Sequence, residues 1–564
     1  MKNIYWGVAV SVQKEGKKKK KKKTAMNRFE SPIYDASFEK ASQAQPADLP
    51  EVEKYASITD YNELEKNSSG SIKQGELKRT FSLWSILGIG FGLTNSWFGI
   101  SASLVTGISS GGPMLIVYGI IIIAFMSYCI GATLSELSSA IPSAGGQYVW
   151  IKVLSLKKYS GFLAYMCGSF AWAGAIFTSA SMALSVAEEI MGLWMITHPD
   201  HNPARWELFV TYQLVNVVLF VFNCYGKLLP FVANYALYIS LFSFLTITIT
   251  VLACAKGHYQ SSSFVFLEFD NATGWQSSGL AFIVGLINPN WSFSCLDSAT
   301  HLAEEVLSPE KDIPIAIMGT VTIGLITSLC YVISMFFSIR DLHELVNSNS
   351  EMPIFGIYQQ ALQNNAGAIC LGVLILLTGC GCTVSSHTWQ ARLCWSFSRD
   401  NGLPFSKYLS IIDPKLGVPL YAHIFLTFWV AVLGCLYLVS DSAFNSIMTG
   451  CISFLLLSYM LPTLSLLIRG RKNIRHGPFW LGNFGYFCNI VTCLWAIFAL
   501  VFYCFPSTMP VTGNTMNYVC VLIFAYLSYC LIYWWFPIKK WSCRANFAGG
   551  QGNEEEEFSD VVLK

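Results

Sequence analysis

The sequence predicts an all-α membrane protein. Its twelve transmembrane helices fall into two five-span halves of opposite orientation, with two further helices at the C-terminal end. Three observations predict this. Of 564 residues, 53% are hydrophobic and only 12% charged, with a mean hydropathy of +0.47, far from the ~25% charge of soluble domains. Twelve stretches reach the roughly 20 apolar residues that cross a bilayer as a helix: near 82–105, 114–135, 162–187, 207–224, 229–254, 279–302, 314–339, 367–391, 420–439, 444–468, 485–505 and 517–536. Finally, the first and the sixth are interrupted by glycine or proline, at corresponding places in the halves 82–254 and 279–468. Five spans is an odd number, so the second half enters the membrane from the opposite side, and interrupted segments at matching places are the mark of an inverted repeat.

The flanks are polar. Residues 1–79 and 541–564, the latter with Glu554 to Glu557, are expected to be disordered cytoplasmic tails around a membrane domain at 80–540. The run Lys17 to Lys23 reads as a contact for anionic lipid, as a mimic of a nuclear signal, or as a stretch without a role ahead of a start at Met26. No cleavable signal peptide is evident. With both termini inside, the inner loops carry thirteen Lys and Arg and the outer loops three, Arg205, Lys256 and Arg340, as the positive-inside rule requires. The sequon Asn271-Ala272-Thr273 then lies outside and the Asn67 sequon inside.

The sixth segment contains GLINPNWSFSCLD, residues 285–297. Lipid offers no partner to Asn288, Asn290 or Asp297, and a proline costs the helix a bond. The first segment is irregular over Gly88, Gly90, Gly92, Asn95, Ser96 and Trp97, and its Gly92-Leu93-Thr94-Asn95 mirrors Gly285-Leu286-Ile287-Asn288. Unwinding frees backbone groups that are tolerable only where they line a watery or ligand-filled cavity. A lone Pro289 reads equally well as a repaired kink. Two matched breaks point instead to a substrate site near the midplane of a secondary transporter.

Trp97, Trp291 and Phe293 lie beside these breaks, with Trp172 and Phe170 as further walls. Ring faces attract a cation by roughly 0.5–2 kcal/mol and suit a quaternary ammonium, which has no N–H to donate. Aromatics form 15% of the chain, and most simply pack or face lipid. Asp297 reads as the one carboxylate deep in a span, which makes it functional by default. At helical spacing His301 and Glu305 follow it on one face, a line able to carry a proton. Asp297 could also balance substrate charge, and His301, Glu304 and Glu305 could merely anchor a loop. Glu136 and the small-residue stretch Ala140 to Tyr148 suit a re-entrant gate.

Eighteen cysteines lie mostly in apolar spans and read as packing rather than redox or metal ligands. Gly88-Ile89-Gly90-Phe91-Gly92 lacks the spacing of a nucleotide-binding loop. No cofactor, metal or nucleic-acid partner is expected, and no catalytic constellation appears.

ELSSAIPSAGGQY (136–148) and AEEVLSPEKDIPIAI (303–317) resemble the inner-gate motifs of the amino acid–polyamine–organocation (APC) superfamily. FSLWSILGIGFGLTNSWFGIS, AYMCGSF, FNCYGK, GLINPNWSFSCLD and TWQARLCWSFSRD resemble its fungal amino acid/choline branch, the choline permeases in particular. The resemblance implies a leucine-transporter-type fold, a plasma-membrane location and proton-driven uptake of choline, with ethanolamine a further candidate. It covers residues 80–540. Amino-acid members offer G-[ST]-G-x-G in the first span, where this chain has Gly92 to Trp97, and the fifth span lacks an interior lysine. 4-Aminobutyrate or polyamine permeases of the same superfamily, and a receptor that senses without transporting, remain the alternatives.

Overall fold

The computed structural model describes residues 77, 79–201, 203–347, 352–439, 441–513 and 515–536. The lysine run, the Asn67 sequon, nearly all of the N-terminal tail and the whole 541–564 tail lie outside the described residues. Among those described the secondary structure is helical, apart from one isolated bridge between Phe81 and Val306.

Among the described residues, nine helices are long and apolar enough to cross a membrane. They coincide with nine of the twelve predicted windows. The other three windows have identifiable reasons for falling short. The first is divided into Leu83–Thr94 and Ser96–Ala102, the sixth into Ser278–Gly285, Ile287–Ser292 and a non-helical stretch, and the twelfth, Val519–Trp535, has 17 residues.

Local chemistry sets the boundaries. Ser82 caps the first segment by accepting from the N–H of Ser85 at 3.4 Å, and Ser277 caps the sixth by accepting from Leu280, each supplying a partner to an orphan N–H. The second segment bends at Gly111 and Gly112, the latter at φ 65°, and runs straight from Pro113. Proline at the first helical turn has no N–H to lose.

The third helix, Lys157–Thr197, is the most buried of these spans. Its most apolar window is 94% buried, against 28% for Arg205–Phe222 and 33% for Leu229–Cys254. Small residues make that possible: Gly168, Ala171, Gly174, Ala175, Ser179, Ala183 and Ala187 let neighbouring backbones approach. On the rim helix Leu229–Cys254 the large exposed side chains are Phe231, Tyr235, Tyr238, Phe242, Leu245 and Ile249. That spacing is one apolar face of a helix, turned outward, as in a multi-pass membrane protein.

Asn271 donates its amide to the carbonyl of Trp275 at 2.8 Å and Thr273 is buried, so the folded sequon is already engaged. The cysteines of the described residues are free thiols.

Candidate functional site

The first segment breaks at a single residue. Asn95 adopts φ 29°, ψ 66° between two helices, and its side chain explains how the fold holds it there. Its Nδ2 donates to Oγ of Ser240 on the fifth helix at 2.9 Å, and the Trp97 indole N–H donates to the same hydroxyl at 3.0 Å. This corrects the expectation that the backbone unwinds from Gly88 onward. Gly88, Gly90 and Gly92 are helical, and a Cβ on each would lie 2.6 Å from the Ala233 carbonyl oxygen, 2.9 Å from Thr320 Oγ1 and 3.0 Å from Ser385 Oγ. Three neighbouring helices pack against the three glycines.

The sixth segment is divided first at Leu286, between Ser278–Gly285 and Ile287–Ser292, and its non-helical stretch begins only after Pro289. Ile287–Ser292 is a helical turn that includes the proline; the chain leaves the helix at Phe293, and Cys295 takes φ 64°. A proline early in a helical turn sacrifices no bond, so Asn288 and Asn290 lie within a helical turn and the freed groups come after it. One of them, the Ser294 carbonyl, accepts from the Thr94 hydroxyl at 3.0 Å. Asn288 reaches the first segment too, donating to Ser103 Oγ at 2.6 Å, while its Oδ1 and the Ser96 hydroxyl have no partner.

Asp297 is fully buried just past the break. Tyr459 donates its phenol hydroxyl to Oδ1 at 2.6 Å, the Gln147 amide donates to Oδ2 at 2.7 Å, and His301 Nε2 lies 3.2 Å from Oδ2. The other ring nitrogen, Nδ1, is 2.7 Å from the Ala144 carbonyl. A carbonyl only accepts, so Nδ1 carries a hydrogen, and Nε2 faces a carboxylate oxygen. Gly146, at φ 55°, allows this approach; a Cβ there would stand 3.1 Å from His301 Cε1. Asp297 and His301 therefore meet, although through turns and the short 3₁₀ helix Thr300–Glu305 rather than along an α-helix.

Glu305 is not in that line. It turns to the eighth helix, Asn365–Arg399, and pairs with Arg392, Nε to Oε1 at 2.9 Å. Glu304 pairs with Arg399, whose Nη1 donates at 3.0 Å. Tyr148 and Ser396 hydroxyls join at 3.0 Å. Together these contacts clasp the loop Ala140 to Tyr148, the end of the sixth segment and the end of the eighth. Glu136 sits elsewhere, buried against Arg471 at 2.7 Å and accepting from the N–H of Leu481.

The aromatic residues diverge. Trp97 packs on Phe244 and Tyr331, with centroids at 6.4 and 5.2 Å. Trp291 lies beside Cys451 of the tenth helix, and Phe293 lies with Ser96 against Gly324 of the seventh. Trp172 stacks on Phe425 at 6.2 Å, and Phe170 on Phe454. No ring contact joins Trp97, Trp291 and Phe293.

The amino acid permease family model matches residues 81–526. The chain belongs to that family. This permease is 58% identical over 484 residues to a choline transporter of Saccharomyces cerevisiae, covering 86% of this chain and 85% of that protein. It is 34% identical to the 7-keto 8-aminopelargonic acid transporter of the same yeast, over 81% of this chain and 91% of that one. To the yeast GABA-specific permease it is 28% identical, over 79% of each.

Several residues of the permease site escape sequence reasoning. Tyr459 is 162 positions from Asp297, and nothing local singles it out. Ser240 is one serine in an apolar helix. Glu189 corrects the reading of Asp297 as the only carboxylate deep in a span. The third helix continues to Thr197 and buries Glu189 completely, beyond the predicted end at 187.

Proposed function

We propose that this permease imports choline across the plasma membrane by proton-driven alternating access, with twelve spans, a 5+5 inverted repeat and cytoplasmic termini. The observation that carries the substrate is the 58% identity to a choline transporter, sustained over 86% of this chain, against 28% for the GABA-specific permease. Ethanolamine is a second substrate.

Choline binds at the two breaks. The cationic head lies against rings that follow them, Trp97, Trp291 and Phe293. The substrate hydroxyl meets the polar groups left without partners there, Asn288 Oδ1 and Ser96 Oγ, since an unpaired buried acceptor gains most from a new donor. The clasp of Glu304, Glu305, Arg392, Arg399, Tyr148 and Ser396 is the closed cytoplasmic gate.

The proton sits between Asp297 and His301. With Nδ1 committed to the Ala144 carbonyl, Nε2 and Oδ2 at 3.2 Å are two acceptors face to face unless one proton lies between them, as imidazolium with carboxylate or imidazole with carboxylic acid. Losing that proton leaves lone pairs opposed in a buried place. The pair joins the re-entrant loop to the sixth segment, so its protonation state bears directly on the gate.

Labelled choline uptake by cells lacking their own carrier tests the reading. Saturable uptake, inhibited by ethanolamine and not by 4-aminobutyrate, is expected. Inhibition by 4-aminobutyrate alone would favour the neighbouring permease class, and no uptake with the protein at the surface would remove transport of choline altogether.

A further inference from the structure

Four carboxylates are buried among the described residues, and three have donors: Glu136 from Arg471, Asp297 from Tyr459 and Gln147, Glu305 from Arg392. Glu189 is the exception. It is 0% exposed, and neither of its oxygens has a hydrogen-bond partner. An uncompensated buried carboxylate is costly, so its surroundings decide what could compensate it.

Those surroundings are aromatic and adjoin the first break. A Cβ on Gly379 of the eighth helix would lie 2.9 Å from Glu189 Oε2 and 2.9 Å from Phe98 Cζ. The bare glycine thus lets the carboxyl and the edge of the Phe98 ring share one place. Tyr331 and Tyr358, joined hydroxyl to hydroxyl at 2.7 Å, lie within electrostatic reach of Glu189. Tyr331 in turn packs on Trp97. Phe98 and Trp97 are the third and second residues after Asn95.

We propose that Glu189 is the counter-charge for the quaternary ammonium seated at Trp97, with the Phe98 ring beside the carboxyl; this rests on the choline reading above. A trimethylammonium group has no N–H, so it cannot satisfy a carboxylate by hydrogen bonding. It needs an opposite charge at contact distance and ring faces. A carboxylate already occupied by donors serves poorly, which excludes Asp297. A bare carboxylate also repels a substrate that carries its own, and so disfavours 4-aminobutyrate and other zwitterions.

The test uses the purified full chain in liposomes, measuring exchange of labelled choline, with 3,3-dimethyl-1-butanol as the neutral competitor of the same shape. Glu189→Gln is expected to raise the half-saturating choline concentration about tenfold or more and to leave inhibition by the neutral competitor within about twofold. Glu189→Asp should fall between. An unchanged choline half-saturation, or an equal loss for both compounds, would overturn the proposal. So would intact exchange with lost proton-driven accumulation, which would make Glu189 a proton carrier. Should the variant not fold, the parent protein decides: choline must compete at least about tenfold better than its neutral isostere, and equal competition would overturn the assignment. A parent that exchanges no choline at all removes the substrate reading itself, a result distinct from any of these.

Discussion

The hydroxyl of Thr94 donates to the carbonyl of Ser294 over 3.0 Å. One residue precedes the break of the first segment and the other lies in the break of the sixth, 200 positions away. A carbonyl freed from its helix finds its partner on the matching broken helix, so the two segments are tied where each is weakest.

That tie predicts coupled movement. Thr94→Val removes the donor, keeps the shape and leaves the Ser294 carbonyl unpaired, which costs about 1–3 kcal/mol in a buried place. Choline uptake should fall by about tenfold with surface expression retained. Uptake equal to that of the parent would show that the bond carries nothing.

The Asp297–His301 pair predicts a separation of exchange from accumulation. Asp297→Asn still accepts from Tyr459 and holds its volume, but no longer needs the shared proton. Exchange of choline across liposomes at equal pH should continue, while accumulation against a gradient should collapse. Accumulation that persists would place the coupling proton elsewhere.

The two ion pairs of the proposed gate should differ in weight. Arg392 and Glu305 side chains are 1% and 6% exposed, Arg399 and Glu304 40% and 32%. Breaking a buried pair strands a charge at about 3–5 kcal/mol, whereas an exposed pair contributes about 0–1 kcal/mol. Arg392→Gln should therefore open the inner face far more than Arg399→Gln, read as labelling of a cysteine placed at Ser396 by a thiol reagent from the cytoplasmic side. Equal labelling would contradict the ranking.

The packing glycines predict stability effects without any role in substrate contact. Gly88→Ala puts a Cβ 2.6 Å from the Ala233 carbonyl oxygen, while at Gly279 the nearest atom is Ser277 Oγ at 3.7 Å. Overpacking costs about 1–3 kcal/mol. The purified Gly88→Ala protein should melt measurably lower than the parent and Gly279→Ala should not, with the choline half-saturation unchanged in both.

Much of this arrangement was legible from residue order. Apolar length located nine helices, since a bilayer fixes how many apolar residues a helix must have. Matched interruptions located the two broken segments. The position of each break was not legible to the residue. Pro289 looked like the rupture, yet a proline in the first turn of a helix is harmless, and Cys295, with no breaker signal of its own, bears the left-handed backbone. Gly88, Gly90 and Gly92 looked like unwound backbone, but a glycine in a membrane helix serves equally to admit a neighbouring helix, and only the neighbours distinguish the two. The partners Tyr459, Ser240 and Arg392 were hidden because they come from remote helices. Glu189 was hidden because two successive glutamates at the end of an apolar run resemble a helix leaving the membrane.

The most direct measurement is choline flux through the purified full chain in sealed liposomes, with an inward proton gradient imposed and then dissipated by a protonophore. Choline should concentrate inside while the gradient stands and leak back to equality when it is removed. Liposomes holding correctly folded protein that take up no more choline than empty ones would contradict a choline importer, whatever the geometry of its broken helices.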